Sequence, residues 1–152
     1  MNKRETVQAF MDSIQLGEFD LAKSMLADDF QFSGLIPEVI NKDTWLEMSV
    51  NLKAAFQDLD YHFKVIGANG DVVRSTTQLS GTQTGSLDLA GVNMGVIPVT
   101  NKHVSIKTAK TKVTVKEGKI KLWVVEPRDG AGLEAVLHQL GGALQHPEKE
   151  SL

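Results

Sequence analysis

The chain has 152 residues and a mass of 16.6 kDa, 41% hydrophobic and 23% charged, which suffices for one globular domain with its own core. A formal net charge of −3 and a pI near 5.8 argue against a counterion-releasing nucleic-acid surface, and the absence of cysteine removes disulfides, thiolate metal ligands and a cysteine nucleophile. No apolar run approaches the roughly 18 residues of a membrane span, and Met1-Asn2-Lys3-Arg4 leads straight into an amphipathic pattern. The expectation is a cytoplasmic protein with neither membrane nor nucleic-acid partners.

Val7, Phe10, Met11 and Ile14 recur at helical spacing behind Asn2 to Glu5, and Gly17 supplies the left-handed residue that ends this first helix. Phe19, Ala22 and Leu26 predict a short second helix, followed by the alternation Phe30-Gln31-Phe32-Ser33 of a first strand. After Gly34 and Pro37, Asn41 or Asp43 caps a third helix whose residues Trp45, Met48, Leu52, Ala55, Phe56 and Leu59 share one face.

From Asp60 the period changes to two. Tyr61, Phe63 and Val65 alternate with His62, Lys64 and Ile66 as far as Asn69-Gly70, a strong hairpin signal, and the return strand runs from about Asp71 to Thr84. A second long strand over about His103 to Val115 turns at Lys116-Glu117-Gly118 into Ile120 to Val125. Leu133, Val136, Leu137 and Leu140 form a last helical stripe ending at Gly141-Gly142. Helices grouped before and after an antiparallel meander make the class α+β, with a strongly bent sheet wrapped around the N-terminal helices. We read residues 1–144 as a single domain and 145–152, polar and rich in charge, as a flexible tail.

Two segments carry a family resemblance. Gly81-Thr82-Gln83-Thr84-Gly85 is similar to the Gly-Thr-His-Thr-Gly segment of the SnoaL-like polyketide cyclases, and Glu117-Gly118-Lys119-Ile120 resembles their Asp-Gly-Lys-Ile turn. The order of elements over roughly residues 5–142 also resembles the nuclear transport factor 2 superfamily to which those cyclases belong. The resemblance implies a cone-shaped α+β barrel enclosing a ligand pocket, and assembly as a homodimer.

It also implies where a cyclase holds its acid and base, and here those positions are occupied by Leu122 and Lys112. Leucine neither gives nor takes a proton, so cyclisation by that route is not expected. Glutamine at Gln83 orients a carbonyl or hydroxyl without titrating. From strand parity, Leu122 and Val124 are expected to wall the pocket, Lys112 to be the one titrating group on that face, and Trp123 to lie on the outer face at a dimer interface. For Lys112 the ordinary alternative is a solvated lysine, since Lys102, Lys107, Lys116, Lys119 and Lys121 make the whole hairpin basic.

Trp45, Tyr61 and Phe63 are expected to line the pocket, and core packing accounts for the other aromatics. The loop Gly85 to Pro98 reads as a lid or a dimer flap, with Asp88 bonding its own backbone. His62, His103, His138 and His146 show no ligand spacing, so neither metal nor cofactor is expected. His62 beside Asp58 and Asp60 reads as an acid-base pair or, more commonly, as a surface histidine among solvated carboxylates. The functional expectation is a protein that binds a small apolar carbonyl compound, with isomerase- or cyclase-type proton transfer as its chemistry. The alternatives are a ligand carrier or sensor and a dimerising interaction module.

Overall fold

In the computed structural model, which describes residues 1–141, α1 spans Lys3–Gln15 behind an Asn2 cap. Asn2 Oδ1 accepts from the Glu5 backbone N–H at 2.8 Å and Asn2 N–H donates to Glu5 Oε1 at 3.0 Å, a reciprocal box that satisfies groups a helix start otherwise leaves unpaired. Val7, Phe10, Met11 and Ile14 are buried, and Gly17 at φ +77 turns the chain into α2 (Phe19–Ser24). Leu26 opens β1 (Leu26–Ser33) instead of closing α2. After β2 (Ile40–Asn41), Asn41 caps α3 (Lys42–Ala55) by accepting from the Thr44 N–H at 2.9 Å.

The rest is mostly β: β3 (Lys64–Asn69), β4 (Val72–Thr77), β5 (Ser80–Thr82), β6 (Leu87–Leu89), β7 (Gly95–Ile97), β8 (His103–Ser105), β9 (Ala109–Lys116) and β10 (Lys119–Val125), closed by α4 (Leu133–Gln139). The two long strands expected from the alternation are each broken, at Gln78-Leu79 and at Ile106 to Thr108. The breaks face one another, since Ile106 N–H donates to the Leu79 carbonyl at 3.0 Å. Beyond them β5 and β8 form their own two-stranded sheet.

The main sheet has the order β2-β1-β10-β9-β4-β3; β1 runs parallel to β10 and the other pairs are antiparallel. β2 and β3 are free edges, so the α+β sheet is open and does not close into a barrel. The Gly85–Pro98 loop is the β6–β7 hairpin, whose Leu87 and Leu89 are buried and whose β6 packs on α3. Asp88 Oδ1 accepts from the Ala90 N–H at 3.0 Å, the local backbone bond expected for it. Among the described residues no helix is long and apolar enough to cross a membrane. The expected tail, 145–152, lies outside the described residues, as do residues 142–144.

One register feature reverses the expected faces of β10. Ile120 pairs with Val115 but Leu122 pairs with Thr114, so two residues of β10 are set against one of β9. Such a bulge breaks the period of two. Ile120 therefore points inward together with Trp123 and Val125, while Leu122 and Val124 are half-buried on the opposite side. On β9 the inward set is Ala109, Thr111, Val113 and Val115, and Lys110, Lys112 and Lys116 are exposed. Trp123, expected outside, is 4% exposed and packs edge-on against Phe10 and Phe32, with ring centroids at 5.9 Å and 5.0 Å.

Candidate functional site

Helix α3 places Trp45, Met48 and Ser49 over the inner face of the sheet, where they meet Phe32, Trp123 and Tyr61. The rings of Trp45 and Trp123 lie 6.0 Å apart, and Phe30 packs edge-on to Trp45 at 5.8 Å. These aromatics fill most of the cone. The space left between Trp45, Tyr61, Thr77 and Trp123 measures about 20 Å³, room for one water-sized molecule.

The polar groups facing inward are hydroxyls and an indole N–H. Ser75 Oγ and Thr111 Oγ1 share a hydrogen bond of 2.9 Å, and Trp123 Nε1–H donates to Thr111 Oγ1 at 3.2 Å. Thr77 Oγ1 donates to the Tyr61 carbonyl at 2.7 Å, while Tyr61 N–H donates to Gln15 Oε1 at 2.9 Å. Tyr61 is thus fixed through its backbone, and among the described residues nothing hydrogen-bonds to its phenol. Burial pushes the Tyr61 pKa far above the ordinary tyrosine value, so the phenol stays protonated and acts as a donor.

A second, more open space adjoins this one. It measures about 380 Å³ and runs between the Ser33–Pro37 segment, Met94, Val124, Pro127 and Glu134. Leu35 and Val125 line both spaces and form the partition between them. The segment is set by Gly34, at φ +103, where an added Cβ would lie 1.7 Å from the Val125 carbonyl oxygen. It is held at its far side by the Leu133 N–H, which donates to the Leu35 carbonyl at 2.9 Å.

The residues expected to act together are therefore divided among several places. Trp45 and Tyr61 line the inner space and Val124 the outer groove. Phe63 borders a separate shallow depression beside Arg4 and Gln8. Leu122 and Lys112 are on the outer face of the sheet and line neither space, so of the expected wall only Val124 borders one, and the expected titrating group borders none.

Gln83 is inside but its side chain is already occupied. It is 0% exposed; Nε2 donates to the carbonyls of Ile97 and Pro98 at 3.2 and 3.1 Å, and Oε1 accepts from Thr100 N–H and Oγ1 at 3.1 and 2.6 Å. Both donors and both lone pairs are used, so Gln83 fastens the end of β7 and the segment that follows it instead of presenting an amide to a ligand. Sequence reasoning missed Leu35, Ser49, Thr77 and Trp123. For Trp123 the signal was present: β9 alternates lysine with Ala109, Thr111, Val113 and Val115, and that apolar half marks the inner face.

The sequence matches the SnoaL-like polyketide cyclase family over residues 4–135. No curated protein matches it. Among solved structures, a proposed SnoaL-like polyketide cyclase from Jannaschia sp. CCS1 superposes with a TM-score of 0.70 at 21% identity, covering 93% of this chain and 92% of that one. An M. tuberculosis LEH-like epoxide hydrolase gives 0.63 at 17% identity, covering 90% of each chain. A protein of ketosteroid isomerase-like fold from Catenulispora acidiphila DSM 44928, in complex with trimethylamine, gives 0.64 at 13% identity, covering 93% of this chain and 96% of that one. At these identities the likeness is one of fold.

Proposed function

The chain belongs to the SnoaL-like polyketide cyclase family, and on that premise we propose that it binds a small, mostly apolar carbonyl compound without turning it over. The observation that carries this reading is the adjacency of two spaces across Leu35 and Val125: an apolar groove of about 380 Å³ and an aromatic chamber bordered by Tyr61. The groove has the volume of a small-molecule site. A ligand seated in it would displace Leu35, extend its apolar end toward Trp45 and Trp123, and accept a hydrogen bond from the neutral Tyr61 phenol.

The inner lining supports binding more than proton transfer. Among the described residues its only ionisable side chain is Tyr61, which burial keeps protonated, so a carbonyl there gains a donor but meets no base from them at neutral pH. A second reading, cyclase- or isomerase-type proton transfer, is favoured by the family itself and by Glu134, the one carboxylate on the groove rim among the described residues. Self-association through the outer sheet face remains a proposal, now without Trp123 as its anchor and with Arg74 set directly opposite Lys112 on that face.

The test is thermal unfolding with a panel of aromatic ketones and cyclic enones, combined with mass analysis of each compound afterwards. Binding raises the midpoint with ligand concentration and leaves the compound unchanged. Consumption abolished by Glu134→Gln selects the second reading. No stabilisation by any compound, in the parent chain or in Leu35→Ala, overturns both.

A further inference from the structure

Outside the cone, at the seam where β5 leaves the main sheet, three side chains stand in the order of a nucleophile, a base and an orienting carboxylate. His62 Nε2 lies 2.8 Å from Ser80 Oγ, and His62 Nδ1 lies 3.8 Å from Asp60 Oδ2. The two ring nitrogens thus face different partners; the Asp60 carboxylate is beyond hydrogen-bond distance of Nδ1 and acts on the ring through its charge, which favours the tautomer protonated there and leaves Nε2 to accept the serine proton.

The placement is fixed by the backbone. Asp60 and Ser80 form an isolated antiparallel bridge, with Asp60 N–H donating to the Ser80 carbonyl at 2.9 Å and Ser80 N–H to the Asp60 carbonyl at 3.1 Å. Asp60 Oδ1 accepts from the His62 N–H at 2.8 Å, which holds the carboxylate against the histidine that it faces. His62 has φ +43, in the left-handed region that side chains other than glycine enter at a cost. His62 and Asp60 are exposed and Ser80 is half-buried, so a small reagent can reach the hydroxyl.

We infer that Ser80, His62 and Asp60 form a site of nucleophilic acyl transfer, separate from the cone, that takes small activated esters. Ser80 Oγ attacks the ester carbonyl as its proton passes to His62 Nε2. The tetrahedral adduct collapses with cleavage of the bond to the leaving oxygen, which takes that proton and departs as the alcohol or phenol. Water then attacks the acyl-Ser80 carbon, again through His62, and releases the carboxylic acid and free Ser80. Ser80 and His62 are the catalytic residues; Asp60 positions the ring. Ser80 N–H is engaged with the Asp60 carbonyl, Thr82 N–H with Asp58 Oδ1 at 2.8 Å, and Gly81 between them lies in the ladder opposite Val104. The developing oxyanion is therefore left to water, which restricts the site to good leaving groups such as a nitrophenol and excludes amides.

The experiment treats the full chain with diisopropyl fluorophosphate and locates the adduct by peptide mass mapping, with p-nitrophenyl acetate hydrolysis measured in parallel. The expected result is a single diisopropylphosphoryl group on Ser80, formed with loss of fluoride, and ester hydrolysis that stops when Ser80 is modified. His62→Gln lowers both rates by roughly a hundredfold, while His103→Gln, at the neighbouring histidine, leaves them unchanged. Asp60→Asn, which keeps an oxygen for the His62 N–H, lowers kcat with KM unchanged. An adduct located elsewhere, or hydrolysis that persists after Ser80→Ala, overturns the inference. Labelling of the parent chain decides this even where a variant fails to fold.

Discussion

Gln83 Oε1 accepts two hydrogen bonds from Thr100, one from its backbone N–H at 3.1 Å and one from its hydroxyl at 2.6 Å. With Nε2 spent on the carbonyls of Ile97 and Pro98, a single buried side chain closes the Gly85–Pro98 segment against the strand pair β5–β8. The position that resembles a cyclase histidine is structural here.

Gln83→Ala removes all four of these bonds and leaves two carbonyls facing a cavity. Buried groups stripped of partners cost more than the bonds contributed, so the variant loses about 2–4 kcal/mol in urea unfolding. Hydrogen exchange rises first at the Thr100 amide. A loss under about 0.5 kcal/mol, as expected of a surface site, contradicts the latch.

The inward face of β9 is tested by adjacent substitutions. Lys112→Met changes an exposed side chain and shifts stability by no more than about 0.5 kcal/mol. Thr111→Met forces bulk against Ser75 and Trp123 and removes the acceptor of the Trp123 N–H, at a cost of about 2–4 kcal/mol. Equilibrium denaturation of the pair gives the comparison, and equal effects contradict this register.

The helices and the class of fold were legible because their signals are local: Asn2 with Glu5, Asn41 with Thr44 and the apolar stripes between them need no tertiary information. The faces of the last hairpin were not legible by counting from Ile120. The bulge depends on how β10 twists against β9, and one inserted residue exchanges Leu122 for Trp123. Reading β9 by its own lysine alternation gives the correct face. The partition at Leu35 was not legible because Gly34 and Pro37 announce only a break in the sequence, while the contact of Gly34 with the Val125 carbonyl joins residues distant in the chain. The Gln83 latch was equally hidden, since its partners at 97–100 come from a loop without periodicity.

Gly34 itself is expected to tolerate no side chain. At φ +103, with the Val125 carbonyl oxygen 1.7 Å from where a Cβ would sit, Gly34→Ala must displace the backbone of β10 or of the segment that partitions the two spaces. Thermal and chemical unfolding will show a loss of at least about 2 kcal/mol. A neutral result would contradict the close approach.

Tyr61 is the chain's single tyrosine, so tyrosinate absorbance reports it alone. Its folded pKa is raised by desolvation, so its contribution to stability is complete below the ordinary value of about 10 and is lost as pH rises beyond it. Tyrosinate then appears only as the protein unfolds, and Tyr61→Phe removes this alkaline loss. At the acid end the sign is opposite. Hydrogen bonds from Lys121 and Lys3 lower Asp29 and Asp71, so their contributions are present above the ordinary carboxylate value and disappear as pH falls through the folded one. A folded tyrosinate that appears close to the ordinary tyrosine value of about 10 contradicts the buried phenol.

The proposed binding mode takes an apolar carbonyl compound past Leu35 to the aromatic chamber. The chain has two tryptophans and both line that chamber, so its two indole N–H resonances are direct reporters. Titrating acetophenone and 2-cyclohexenone into isotopically labelled protein should shift both indole signals and the Leu35 methyls together and saturably, with weaker binding in Tyr61→Phe. Signals of Trp45, Trp123 and Leu35 that stay in place up to the solubility limit of each compound would contradict the account.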